Sequence, residues 1–317
     1  MNALVARLFG AAARPRARFG PVVPERPLAG DAVTRFRAGA FPDAGPRPWL
    51  DRPDAAAALE AKRALGELTP AEAAFARAWL RDGAVEIAGF FEARRIDAMW
   101  EAYERALAAR RVTPDAEPTA AEPLPGRTLN AHFAVPEIAA MLHDAGVMEI
   151  VSVLLGAQAL PFQTIIGHRA SEQRAHSDAI HMTTYPLGYL AASWLALEDI
   201  APDSGPLVYY PGSHRLPYVF AEDVAISPDQ FRNEGYEPYA QRYEPRIAGL
   251  IAEHGLQART FAPRKGDLLL WHGNLIHGGA SRARIGTSRR ALVGHYFAQG
   301  CVTYHDLAAS PSHLQAH

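Results

Sequence analysis

Residues 174–181 read Arg-Ala-His-Ser-Asp-Ala-Ile-His. In an extended chain, residues two apart share a face, so His176 and Asp178 set an imidazole beside a carboxylate. Such a pair is half of a site for a hard-to-borderline metal, and a later strand must supply a third ligand. Two histidines stand in 267–279, His272 and His277. They are five apart and face opposite ways on a strand. His277 is the better ligand, because Gly278 and Gly279 let backbone pass close to whatever it holds. Arg289 follows twelve residues on, opening the run Arg-Arg-Ala-Leu-Val-Gly-His-Tyr-Phe. Two histidines and one carboxylate leave three metal positions open, the ligand set of non-haem Fe(II) oxygenases. There a chelating cosubstrate takes two positions and dioxygen the third. A 2-oxo acid would chelate through its keto oxygen and one carboxylate. Its far carboxylate needs a bidentate cation, and Arg289 has the type and place for that clamp. The single cysteine, Cys301, excludes an internal disulfide framework and every multi-cysteine metal site, whereas thirteen histidines are available.

These residues need strands to hold them. After Gly156 the sequence breaks into short β-type runs between turn signals: 161–166, 191–197, 207–210, 267–271 and 291–297. Many short strands with little helix between them predict an antiparallel barrel or sandwich. Ahead of it the spacing predicts helices. Residues 54–68 suit one by propensity. Thr69, Pro70 and Glu72 form a capping box with proline at the first helical position, predicting a helix to about Arg81 and a strand over 84–88. Ile96, Met99, Trp100, Tyr103 and Leu107 recur at helical spacing and read as a core stripe. Residues 113–126 read as a loop and 136–155 as helical. A polar, aromatic-rich insertion over 217–257 is expected to be a lid or binding loop.

The pattern His176-Ser-Asp178, Trp194-Leu-Ala-Leu-Glu-Asp199, Ser204-Gly-Pro-Leu207, Pro211-Gly-Ser-His214, Gly266-Asp-Leu-Leu-Leu270, His277-Gly-Gly279 and Arg289-Arg-Ala-Leu292 resembles one known family. It is similar to the phytanoyl-CoA dioxygenase family of Fe(II)/2-oxoglutarate oxygenases, from about Thr69 to Tyr304. The resemblance implies a mainly β chain, a double-stranded β-helix (jelly roll, cupin-like) with N-terminal packing helices. It implies iron at His176, Asp178 and His277, and 2-oxoglutarate held by Arg289, with O2 as second cosubstrate. It also sets Gln163 at a position that contacts the cosubstrate. The chain departs from the family in two ways. Gly279 stands where many members carry a hydroxyl residue, and the gap from His277 to Arg289 is one residue longer than usual, which leaves Arg290 as runner-up for the clamp. Asp178 is retained where halogenases of this kind carry Gly or Ala, so the resemblance favours hydroxylation over halogenation.

Other residues carry weaker expectations. His181 is a candidate to line the substrate pocket, and Arg282 and Arg284 form a basic loop that could hold a substrate anion. His214 and His272 read as structural, Trp194 as barrel packing, and His295 could face pocket or core. The domain reading is an extension over 1–66, partly disordered or helical, then an oxygenase domain over 67–317. Net charge is −2, so no overall positive field favours nucleic acid or an anionic membrane. No run of about eighteen apolar residues predicts a membrane span. Arg7, Arg14, Arg16 and Arg18 lie in a stretch without acids or serine, read as a cytoplasmic N-terminus rather than a transit peptide. The expected partner is a small molecule. Two other readings keep the fold: a cupin-like metal enzyme that does not use 2-oxoglutarate, and a silent binding protein.

Overall fold

Thr69 Oγ1 accepts from the Glu72 N–H at 3.2 Å, and a Glu72 carboxylate oxygen accepts from the Thr69 N–H at 2.6 Å. With Pro70 behind this reciprocal cap, helix α2 runs from Pro70 to Asp82. It stops at Gly83, whose φ of 73° turns the chain into strand β1, Ala84–Ile87. A Cβ at Gly83 would also meet the His214 ring, so no other residue fits there. In this computed structural model, residues 19–22, 36–41 and 45–312 are described. The N-terminal arginines lie outside them.

Helices α1 (Ala55–Ala64), α2, α3 (Ala93–Ala108), α4 (Pro136–Leu142) and α5 (Ala145–Leu155) form one layer. They cover a six-stranded antiparallel sheet of order β1-β8-β5-β10-β3-β2. Its other strands are β2 (Arg127–Leu129), β3 (Ala159–Gly167), β5 (Leu190–Ala196), β8 (Leu268–His272) and β10 (Ala291–Ala298). Facing it is a three-stranded sheet, β7-β6-β9, from β6 (Leu207–Tyr209), β7 (Arg259–Phe261) and β9 (His277–Gly279). A second small sheet, β12-β11-β4, holds β4 (Thr183–Tyr185), β11 (Val302–His305) and β12 (Ser310–Pro311).

Alternation along the strands sorts side chains between two cores. On β8, Leu268 and Leu270 pack with the helices, while Leu269 and Trp271 face the small sheet with Leu207, Tyr209 and Phe261. On β5, Leu195 goes to the helices and Trp194 inward. Both faces of the large sheet are therefore buried, which is why β5 and β8 read as continuous apolar runs.

The capping box, the short apolar strands and the core stripe on α3 lie where the sequence predicts. The expectation of a mainly β chain does not hold: among the described residues, helices contribute more residues than strands. Two helices also lie inside the insertion, α6 (Pro228–Glu234) and α7 (Glu244–Glu253), joined through a π-helical turn at Tyr239–Tyr243. They bury Tyr239, Tyr243, Ile247 and Leu250 against Ile180, Ile276 and Leu307. The core also reaches back beyond residue 66: Trp49, Leu50 and Leu59 are buried, and Trp49 Nε1 donates to the Val153 carbonyl at 2.7 Å. Residues 136–155 have the length and mean hydropathy of a membrane span. The chain nevertheless breaks there into α4 and α5, where Asp144 accepts from Gly146 N at 3.0 Å, and both helices bury their apolar faces in the core.

Candidate active site

His176 and His277 face one another as an antiparallel backbone pair. Each N–H donates to the other's carbonyl, at 2.9 and 2.8 Å. The pairing sets the two rings 4.5 Å apart. Ser177 stays extended (φ −105°, ψ 152°), so Asp178 returns to the face of His176 before a short 3₁₀ turn begins. The ligand atoms of His176, Asp178 and His277 lie within 4.8 Å of one another, and all three residues are buried. His176 Nδ1 donates to the Arg174 carbonyl at 2.8 Å and His277 Nδ1 to the Leu275 carbonyl at 3.0 Å. A carbonyl only accepts, so Nδ1 carries the proton on both rings and each Nε2 keeps its lone pair for a metal.

Trp271 Nε1 donates to Asp178 Oδ2 at 2.8 Å, which orients the carboxylate. Burial opposes charge on Asp178, but the imidazoles of His277, His295 and His176 and this indole N–H outweigh it, holding the carboxyl below its ordinary range. Burial pushes His176 down to about 4. A neutral His176 imidazole and an ionised Asp178 carboxylate are protonation states that metal coordination needs. The donor set therefore fits a divalent iron with open positions.

The three side chains open onto a cavity of about 800 Å³. Arg289 lines it from the start of β10. Its Nη1 donates to the Gly205 carbonyl at 3.0 Å, its guanidinium lies 5.6 Å from the Trp194 ring, and its Nε has no partner. Burial lowers it to about 10, leaving the guanidinium charged at neutral pH. Arg290 points the other way, over Trp100 at 4.7 Å and toward Glu198 at 3.6 Å. Gln163 lines the same cavity and its Oε1 is buried without a partner. An anionic chelator would accept from the unpartnered Arg289 Nε–H.

His181 also lines the cavity, its ring 5.8 Å from that of His176, and neither of its nitrogens has a partner. Burial pushes it down to about 3, so it is neutral. Arg282 and Arg284 do not line the cavity. Arg282 is held by Glu122 and Glu172 and Arg284 by Asp203, so the basic loop closes on acidic neighbours. His272 and His214 lie outside the cavity as well. His272 Nε2 is 3.2 Å from Asp51, and its Nδ1 accepts from Asn274 N. His295 faces the site, with Nε2 3.9 Å from Asp178 Oδ2.

Tyr236 and Tyr239 of the aromatic insertion line the cavity, whereas Trp271, Arg127, Leu129 and His305, which line it too, escape sequence reasoning. The clearest available signal is for Trp271, whose position on β8 makes it face the same side as Leu269. Arg127 and Leu129 sit on a strand only three residues long, without a pattern to find.

Residues 79–291 match the model of the family described as Phytanoyl-CoA dioxygenase (PhyH). A protein named ectoine dioxygenase from Sphingopyxis alaskensis is 27% identical over 221 residues, covering 66% of this chain and 70% of that one. A mouse protein named phytanoyl-CoA dioxygenase domain-containing protein 1 is 26% identical over 48% of this chain, and the match spans 49% of its own length. Among solved structures, SnoK, titled a non-heme alpha ketoglutarate dependent carbocyclase from nogalamycin biosynthesis, superimposes with a TM-score of 0.60. It has 16% identity and covers 79% of this chain and 95% of that one. EctD from S. alaskensis with bound Fe gives 0.54 and 22% identity over 73% of this chain and 77% of its own. At such identities these structures establish a shared fold. The family match takes in the paired histidines, Asp178 and Arg289, and on it this chain belongs to the phytanoyl-CoA dioxygenase (PhyH) family.

Proposed function

We propose that this protein is an Fe(II)/2-oxoglutarate-dependent dioxygenase that hydroxylates a C–H bond of a small molecule on a double-stranded β-helix core. The observation that carries the reading is the buried His176–Asp178–His277 cluster, with both histidines tied by Nδ1 to backbone carbonyls. His176, Asp178 and His277 would hold the iron, with the two Nε2 atoms and a carboxylate oxygen free to serve as ligands. When bound, iron and 2-oxoglutarate together supply oxidising chemistry from dioxygen that no side chain can perform.

The chain's own part is binding, orientation and exclusion of water. Arg289 pairs with the far carboxylate of 2-oxoglutarate, where burial strengthens the charge-assisted hydrogen bonds. Gln163 offers its amide to the same cosubstrate. Trp271 keeps Asp178 turned toward the metal, and the Arg174 and Leu275 carbonyls keep each ring in its ligating tautomer. The 217–257 insertion acts as the lid. Tyr236 and Tyr239 line the cavity, and the Tyr243 hydroxyl accepts from the Ser177 N–H at 3.1 Å, between the two metal-holding residues of that segment. The oxygenase unit spans 67–317, with the described part of 1–66 packed onto it.

The test is succinate production from 2-oxoglutarate with Fe(II) under air. The protein is expected to form succinate, and Asp178→Ala and His277→Ala are each expected to abolish it together with stoichiometric iron binding. Turnover that survives both substitutions would sink the assignment.

A further inference from the structure

The charged side chains that line the cavity are Arg127, Arg169, Asp178, Glu244 and Arg289. Asp178 belongs to the metal cluster and Arg289 to the cosubstrate end. Each of the other three already has a partner of opposite charge: Arg127 with Asp115 at 3.3 Å, Arg169 with Glu122 at 3.4 Å, and Glu244 with Arg174 at 3.6 Å. A substrate ion would therefore have to compete with an existing partner for each of these charges.

What remains is ring and apolar surface. On the insertion side Tyr236 and Tyr239 stand against His181, at 5.8 and 5.1 Å between ring centroids. Phe162, Ile165, Val293 and Leu129 line the cavity as well. This surface continues to the outside, because Tyr236 and Leu129 are 54% and 57% exposed. A cavity of about 800 Å³ exceeds what a small cosubstrate needs, leaving room for a ring system. Two polar groups on this side lack a partner, the Tyr239 hydroxyl and the His181 imidazole. Both ring nitrogens of His181 are buried and neither is used within the protein.

We propose that the substrate is an electroneutral, ring-bearing small molecule whose rings lie against Tyr236 and Tyr239 and whose hydroxyl or carbonyl group meets His181. This rests on the oxygenase reading above and deepens it. It disfavours substrates whose charged group would sit inside the cavity, beside this ring and apolar lining.

The test is equilibrium binding of matched probes to the anaerobic Fe(II)/2-oxoglutarate protein by calorimetry. The probes are 1-naphthaleneethanol, 1-naphthaleneacetate, 1-naphthaleneethylamine and 1-ethylnaphthalene. The alcohol is expected to bind at least about tenfold tighter than the acetate or the ammonium, since an unpaired buried charge costs more than that factor. Tyr236→Ala is expected to weaken the alcohol and the hydrocarbon alike, by roughly fivefold to tenfold. His181→Phe is expected to weaken the alcohol about tenfold and leave the hydrocarbon unchanged. A charged probe that binds as tightly as the alcohol, or failure of every probe to bind, would overturn the proposal. The same ranking measured while no succinate ever forms would leave the pocket assignment standing and remove the oxygenase reading instead.

Discussion

At the scale of single residues, the site depends on which of two adjacent arginines faces inward. Consecutive side chains on an extended chain point to opposite faces, so one of Arg289 and Arg290 must leave the cavity. Arg289 is the inward one, 8% exposed, and its Nε lacks a partner. Arg290 instead covers Trp100 and approaches Glu198. Replacing Arg289 by Ala is therefore expected to raise KM for 2-oxoglutarate by roughly 30-fold or more, the loss typical of a buried charge-assisted pair. Iron binding should persist. Arg290→Ala should leave KM for 2-oxoglutarate within about twofold, because a half-exposed ion pair contributes little. Steady-state kinetics on the two variants check both outcomes, and a larger effect from Arg290 would reverse the clamp assignment. The departure at position 279 fits the same scale. Gly279 brings no hydroxyl to the clamp, and the Gly205 carbonyl accepts from Arg289 instead.

At the scale of elements, what was legible depended on whether a local pattern existed. The capping box at Thr69 and Glu72 is written in four consecutive residues and forms as such. His176 and Asp178 could be paired from their spacing because only one extended residue, Ser177, lies between them. The backbone pairing of His176 with His277 was not legible. It joins segments about a hundred residues apart, and β9 is only three residues long. The cavity wall was hidden for a similar reason. Arg127, Leu129 and His305 come from strands of three and four residues, too short to carry a period. Arg282 and Arg284 misled because their acidic partners, Glu122, Glu172 and Asp203, lie far away in sequence. The close approach of the two ligand segments makes a prediction. A Cβ at Gly278 would sit 2.8 Å from the Gln173 carbonyl oxygen and 3.2 Å from Ala175 N, and backbone cannot step aside. Gly278→Ala should therefore separate β9 from the His176 segment. Expected results are an iron affinity about tenfold weaker or worse and a stability loss of about 1–3 kcal/mol. Gly249→Ala in α7, where the nearest atom is 3.5 Å away, is the control and should leave iron affinity unchanged and stability level or up to about 1 kcal/mol higher. Iron titration and denaturant melts of the two variants decide it.

At the scale of the whole molecule, the fold buries several histidines whose imidazoles resist protonation. His181 and His214 are each pushed down to about 3, chiefly by burial, and His176 to about 4. His168, His295 and His305 move in the same direction, with burial again the largest cause. The unfolded chain protonates these imidazoles near the ordinary value of about 6.5, whereas the folded chain resists until much lower pH. Between those limits the unfolded state binds more protons, so unfolding becomes easier as pH falls. Each such histidine adds a slope of up to about 1.4 kcal/mol per pH unit inside its window. Asp306 opposes the trend. Burial raises its carboxyl above the ordinary value, although it accepts from the Ala38 and Ala221 N–H groups, so it favours the folded state as it gains a proton. One carboxyl does not balance several imidazoles, and the expected net result is a stability that is level above about pH 7 and falls steeply from about 6.5 toward 4. Iron sharpens the outcome, because a ligated imidazole cannot accept a proton and metal release must precede unfolding at low pH. Thermal melts of metal-free protein across pH 4–8 test this, with His214→Phe as the probe outside the cavity. That variant should have a shallower slope below pH 6.5, and a slope identical to that of the parent would show that His214 does not carry its part of the acid sensitivity.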